Sequence, residues 1–375
     1  MRSVLMQDRR LRVEEVPDPQ PAAGEVVVDV LACGVCGSDL HCTQHGTDFN
    51  AATRNALGVE LMDPSRPVSF GHEFVGAVAD YGPATQGSLP VGTRVVSMAA
   101  LLREPPSFVG FCGPDVPGGY SERMLLSEPL LMPVPDHLST AHAALTEPLS
   151  VAYRAVAKAA LGPHDVALVV GCGPIGLAVV AVLKMRGVGP IVAADFSPTR
   201  RELAGRLGAD VVVDPSQSSP YATWAEAAAT DDPARMGEPT AVLGQLPLRP
   251  TVAFECVGVP GMIQQVIAGA PASSRIVVAG LCMNTDSFQP TEAVLKEVEV
   301  RFSLMYSPQE FTRVFAHLCD GDLDVDPLIT GWVSLDEVPE TFARLSHDPV
   351  DTKILVDPTR PAPVDARHAV DLATA

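Results

Sequence analysis

The feature that most constrains this chain is a glycine run, Gly171-Cys172-Gly173-Pro174-Ile175-Gly176, placed directly after the apolar stretch Val166–Val170. A continuous Val/Leu/Ala run is what a parallel strand buried on both faces requires, and residues 175–186 behind the glycines read as a helix. In that setting each glycine has a job. The first permits a tight turn, the second lets a pyrophosphate approach the backbone, and the third allows close helix–strand packing. The free N–H groups and the helix dipole then favour an anion. Asp195 ends the next strand, 191–194, about 20 residues after the glycines, where a carboxylate accepts hydrogen bonds from the adenosine ribose hydroxyls. It would repel a 2′-phosphate, which selects NAD(H) over NADP(H). Arg200, one helical turn on, reads against that choice unless it stacks on the adenine. The plain alternative is an ordinary strand–turn–helix with Asp195 as a cap.

The rest of the chain divides around this unit. With 375 residues, two to three domains are expected. The first third reads as short Val-rich strands at 25–32, 74–80 and 92–97, broken by Pro17, Pro19 and Pro21, in the pattern of a partly open barrel or sandwich. From about residue 151, strands alternate with helices. Strands are expected at 191–194, 211–213, 251–256 and 275–279. Helices are expected from Ser197-Pro198 to Gly208 and over 261–268. Repeated βαβ units imply an α/β fold with a doubly wound parallel sheet. Residues 231–250 read as a surface insertion and 298–304 as a further β-segment. Ser307 and Glu310 form a capping box for a helix that Gly321 stops. A helix over 337–345 and a strand at 353–356 follow, and the Pro/Ala-rich residues 358–375 read as a loosely held tail.

Charge and cysteines narrow the class. The 26 Lys and Arg against 45 Asp and Glu give a net charge of −19, which repels nucleic acid and anionic lipid. The apolar stretch 175–185 contains Lys184 and is too short to span a bilayer. The N-terminal residues lack the apolar run of a signal peptide. Eight cysteines in this length are too few for a disulfide scaffold and suit a reducing cytoplasm.

Three segments pool metal-type ligands: Cys36 to His41, then His72-Glu73, then Glu147. Thiolate, imidazole and carboxylate are what a four-coordinate zinc accepts, with one position left open for catalysis. Their long-range spacing does not by itself define a site. The ordered set CGVCGSDLH, GHEFVGAV, GGYSE, EPLSVAYRAV, GCGPIG, Asp195 and FECVG resembles the zinc-dependent medium-chain alcohol dehydrogenases. Glu147 within EPLSVA points to the polyol, threonine and butanediol dehydrogenase branch.

That resemblance implies a discontinuous, GroES-like catalytic domain over 1–150 and 290–357 and a Rossmann domain over 151–289. It implies Cys36 and His72 as zinc ligands. Glu147 would be a ligand directly or through water, and Glu73 a near ligand that exchanges with it or holds a water. Asp39 would accept the other ring N–H of His72. Ser38 would meet the substrate oxygen, and His41 would end the proton relay. Gly171, Gly173, Pro174, Ile175, Gly176, Asp195, Arg200, Val257, Gly258 and Leu281 would surround the cofactor. Residues 98–120 hold only Cys112, so the four-cysteine structural zinc lobe of many relatives is missing and one zinc per chain is expected. A long loop at 42–70 would shape the substrate pocket. The implied activity is hydride transfer from a secondary alcohol, vicinal diol or polyol to NAD⁺, in a homodimer or homotetramer. The alternatives are an NADPH-using aldehyde or ketone reductase and a non-catalytic dinucleotide-binding relative. Cys33 with Cys36 reads as packing beside a ligand, not as a redox pair, and Cys42 as packing.

Overall fold

The structure, a computed structural model, describes residues 1–237, 247–347, 350–363 and 369–372. It divides into a unit of Met1–Glu147 with Ile329–Ala375 and a unit of Pro148–Leu328.

In the first unit the strand Glu25–Gly34 is the organising element. It pairs antiparallel with Glu73–Tyr81, with Arg123–Ser127 and with Lys353–Val356, inside a seven-stranded sheet. Its valines are buried, and register shifts near Val27/Val28 and Val30/Ala32 bend it as bulges do. A second sheet runs in the order Ala369–Asp371, Arg10–Glu15, Arg2–Gln7, Val68–Phe70, Phe111–Cys112. The strand Ala369–Asp371 corrects the expected loose tail. It pairs with Arg10–Glu15, Asp371 bonds Arg10 at 2.9 Å, and Leu372 is buried. The remaining tail residues 364–368 and 373–375 lie outside the described residues.

A second correction concerns the expected loop at 42–70. Residues Gly37–Leu57 form one helix with a kink at His45, closed by Gly58 in the left-handed region. Its buried positions are Asp39, Cys42, Thr43, Gly46, Asn50 and Thr53. They follow helical spacing but are small or polar, so no apolar stripe announces the helix.

The second unit is a six-stranded, wholly parallel sheet. Its order is Val211–Val213, Ile191–Ala194, Val166–Val170, Thr251–Glu255, Arg275–Val278, Glu299–Phe302. Numbered along the chain this is 3-2-1-4-5-6, the doubly wound dinucleotide order. Val166–Val170 is buried throughout because it is central, and Trp224 seals one face of the sheet by donating its indole N–H to the Val166 carbonyl. Residues 290–328 lie in this unit, not with the barrel-like one, because Glu299–Phe302 completes the parallel sheet beside Arg275–Val278. The capping box of Ser307 and Glu310 starts the helix Pro308–Asp320, and Gly321 ends it. Residues 238–246 of the expected insertion lie outside the described residues. No described helix is long and apolar enough to cross a membrane.

Candidate active site

Sheet register gathers the ligand-type residues of the first unit. Gly34 pairs with Glu73 and Cys33 with Phe74, so the chain leaving one strand passes the chain entering the other and Cys36 meets His72. The Cys36 sulfur, a His72 ring nitrogen and a Glu73 carboxylate oxygen all lie within 4.8 Å of one another. His72 and Glu73 are buried. The Ser38 hydroxyl donates to Cys36 Sγ at 3.1 Å and lies 3.5 Å from His72 Nε2. His41 follows one turn later on the same helix, hence on the same face.

The other ring nitrogen faces Asp39. His72 Nδ1 and Asp39 Oδ1 are 3.2 Å apart, yet too poorly aligned for either buried atom to complete a hydrogen bond. This orphaned pair fits a metal site. A cation held by Nε2 would leave the ring proton on Nδ1, facing the carboxylate, as in carboxylate–histidine–zinc triads. The electrostatics agree. Burial first, then Glu73, push the Cys36 thiol above its usual range. Burial opposes a charged His72, but Asp39 and Cys36 outweigh it and hold the imidazole well above 6.5. Donors that are buried and crowded by negative charge favour a positive ion among them. Thiolate, imidazole and carboxylate oxygen are the zinc donor set.

Sequence reasoning missed Lys353. On the far side of Glu25–Gly34, Leu355 pairs with Gly34 and Val356 with Cys33, a register that puts Lys353 level with Cys36. Its ammonium donates to both Glu73 oxygens, at 2.8 and 2.6 Å, and to the Val35 carbonyl at 3.0 Å. Both side chains are almost fully buried, at 3% and 1% exposure, so the charges compensate each other and not through water. Gly34 makes the crossing possible, because a Cβ there would overlap the Glu73 carboxylate. The one local signal was a lysine opening an otherwise apolar strand, KILV.

Glu147 stands apart from the trio. It is buried in the first turn of Thr146–Lys158, and its charge acts on Lys353. Glu73 is tied to Lys353. All eight cysteines are free, Cys33 and Cys42 being buried.

In the second unit the glycine loop sits at the carboxyl end of the first sheet strand. Gly171 has φ +88°, and a Cβ on Gly176 would overlap the Gly171 carbonyl oxygen. Gly173 faces open space, and the helix Pro174–Met185 has no side-chain N-cap, leaving its first N–H groups available to an anion. Asp195 accepts from Cys172 N and Ser197 N, each at 2.8 Å, so it ties the loop to the second strand. Arg200 lies 3.9 Å from Asp195, and its Nε has no partner. Val257 and Gly258 follow the fourth strand and Leu281 the fifth, at the same end of the sheet. Val257 and Leu281 are over a third exposed. Open α/β sheets bind ligands outside the carboxyl ends, at the switch between strands one and four. The buried Glu255 holds this rim, accepting from Val257 N at 2.7 Å and Gly258 N at 2.8 Å.

Comparison with known proteins adds the following. Residues 174–320 match the family described as zinc-binding dehydrogenase, and residues 22–136 match the alcohol dehydrogenase GroES-like domain. An (R,R)-butanediol dehydrogenase of Bacillus subtilis is 34% identical over 360 residues, covering 93% of this chain and 96% of that one. Sorbitol dehydrogenase of Homo sapiens is 28% identical, covering 88% of each. The crystal structure of 2R,3R-butanediol dehydrogenase from Bacillus subtilis superposes with a TM-score of 0.76 at 31% identity, covering 96% of this chain and 99% of that one.

Proposed function

This chain belongs to the zinc-dependent medium-chain alcohol dehydrogenases, and on that premise we propose that it oxidises a secondary alcohol, vicinal diol or polyol with one zinc ion per chain and NAD⁺. Membership makes it an oxidoreductase of the diol and polyol dehydrogenase kind. The single observation that carries the metal reading is the convergence of Cys36, His72 and Glu73 within 4.8 Å.

Cys36 and His72 would hold the ion. Glu147 would complete the set directly or through water, since Glu73 is held by Lys353. When bound, zinc would supply a Lewis acid that lowers the pKa of a coordinated water to roughly 7, a shift worth about 12 kcal/mol at 1.36 kcal/mol per unit, and NAD⁺ would supply the hydride acceptor. The chain's own residues handle the proton. Ser38 accepts the proton of the substrate hydroxyl while its own passes to His41 and on to solvent. The carbinol hydrogen leaves as hydride, so a ketone, a reduced cofactor and one released proton balance the reaction. Asp39 faces His72 Nδ1 at 3.2 Å and would accept its proton once Nε2 is engaged. Lys353 offsets the charge of Glu73 and so preserves the electron-withdrawing character of the centre.

In the second unit Gly171, Gly173, Pro174, Ile175 and Gly176 would cradle the pyrophosphate, with Asp195 on the ribose and Val257, Gly258 and Leu281 along the cofactor. A second reading, an NADPH-using reductase, draws on Arg200, whose guanidinium could receive a 2′-phosphate. Eight free thiols fit a reducing compartment, and the reading extends to a cytoplasmic homo-oligomer. Cys36→Ser tests the assignment. Zinc content should fall and turnover drop at least ~100-fold, while NADH binding persists. Full activity in that variant would refute the reading.

A further inference from the structure

The sequence Gly118-Gly119-Tyr120 has no part in the chemistry above, yet the first unit is built closely around it. Gly119 N donates to the Gly71 carbonyl at 2.8 Å and Tyr120 N to the Phe70 carbonyl at 3.2 Å, so this segment lies alongside the residues that lead into His72. The approach is tight enough to demand both glycines. A Cβ on Gly118 would overlap the Phe70 carbonyl oxygen, and one on Gly119 would press into Cys33. Tyr120 is fully buried, and its ring stands edge-on to Phe342, centroids 5.9 Å apart.

The phenol ends this arrangement under the metal-type centre. Its oxygen is 2.6 Å from Asp39 Oδ2 and 3.1 Å from the Gly34 carbonyl. It has one proton to give, and the shorter, charge-assisted contact to the carboxylate takes it. Burial, then the charge of Asp39, hold the phenol well above 10, so it remains a donor. Asp39 is itself 0% exposed, and its other oxygen is the one facing His72 Nδ1 at 3.2 Å. The three side chains form one buried line.

We propose that Tyr120 is a positioning residue for the metal centre. By fixing Oδ2 of Asp39 it presents Oδ1 to His72 Nδ1, and so sets the tautomer and ring orientation with which Nε2 meets the ion. The proposal rests on the zinc reading of the preceding subsection. A donor to Asp39 also draws charge away from the carboxylate and so weakens its pull on the imidazole. Orientation outweighs that effect here. Without the phenol a carboxylate shut off from water would keep one poorly aligned donor and lose its fixed direction.

The test is zinc affinity, measured by chelator competition on the full chain, for wild type, Tyr120→Phe, Asp39→Asn and the double variant. Loss of a partner that orients a metal-bound histidine costs about 10- to 100-fold in affinity. Tyr120 lies one link further out, so Tyr120→Phe should weaken zinc about three- to tenfold, and should add nothing in the Asp39→Asn background. Unchanged or tighter binding, or the same loss in both backgrounds, overturns the proposal. If Tyr120→Phe does not fold, 3-fluorotyrosine can be incorporated at the five tyrosines of the otherwise wild-type chain. The Tyr120 ¹⁹F resonance should move when zinc is added and stay still in Asp39→Asn; a resonance indifferent to zinc overturns the proposal. Wild-type chain that takes up no zinc overturns the metal reading and this proposal with it. Zinc-replete wild type with an equally zinc-replete Tyr120→Phe overturns this proposal alone.

Discussion

Replacing Lys353 by Met separates the two roles that the buried ion pair plays. The ammonium is 3% exposed and the Glu73 carboxylate 1%, with N–O distances of 2.8 and 2.6 Å. Removing one partner of such a pair leaves an uncompensated buried charge, a loss of about 3–5 kcal/mol, whereas replacing both partners is nearly neutral. In the metal-free chain the full loss is expected. In the zinc-bound chain it should shrink, because the orphaned carboxylate lies within 4.8 Å of Cys36 and His72 and can turn to the cation. Urea unfolding followed by fluorescence measures this. The two tryptophans lie one in each unit, so a Trp224→Phe background leaves Trp332 as the reporter of the first unit. Lys353→Met should cost about 3–5 kcal/mol without zinc and clearly less with it, and Lys353→Met/Glu73→Gln should recover to within about 1 kcal/mol of the parent. Equal losses with and without zinc would refute the idea that Glu73 is held in reserve beside the metal. A loss below about 1 kcal/mol would refute the pair's structural role.

Two further outcomes follow from other sites. On the proposed NAD⁺ reading, Asp195→Ala would remove both a repulsion of the 2′-phosphate and the tie to Cys172 N, so KM for NAD⁺ should rise about tenfold and any preference over NADP⁺ should narrow; steady-state kinetics with both cofactors checks it, and an unchanged ratio would reject the ribose role. Glu25 is buried against Arg103, and although burial raises its pKa, the Arg103 hydrogen bond and charge with the Ala22 N–H bring it below 4.5. Its contribution is therefore present above pH 4.5 and lost as pH falls through the lowered folded value. Glu25→Gln should destabilise the chain at pH 7 and converge on wild type in strong acid, as thermal melts across that range would record.

Much of the second unit was legible before any coordinates. Val166–Val170 is continuously apolar, Gly171 to Gly176 carries a turn that other residues cannot make, and Ser307 with Glu310 satisfies the first turn of its own helix. These are local statements. Backbone conformation and hydrogen-bond supply within a few residues decide them, and sequence order records such neighbours directly. The candidate ligands Cys36 and His72 were found by their type and by family resemblance, but that they meet is a consequence of the Gly34–Glu73 register. The helix Gly37–Leu57 escaped because its buried face is Cys42, Thr43, Gly46 and Asn50, chosen to fit and hydrogen-bond, not to repel water. The strand Ala369–Asp371 escaped because its partner is about as far away in the chain as a residue can be. Lys353 and Tyr120 were decided by tertiary structure alone. A lysine in an apolar strand and a tyrosine after two glycines acquire meaning only when pairing sets one beside Glu73 and the other beneath Asp39. The sequence determined which segments fold and what chemistry they carry. Long-range strand register decided which buried charges face one another, because a charge out of water is set by the nearest opposite charge in space, however distant along the chain.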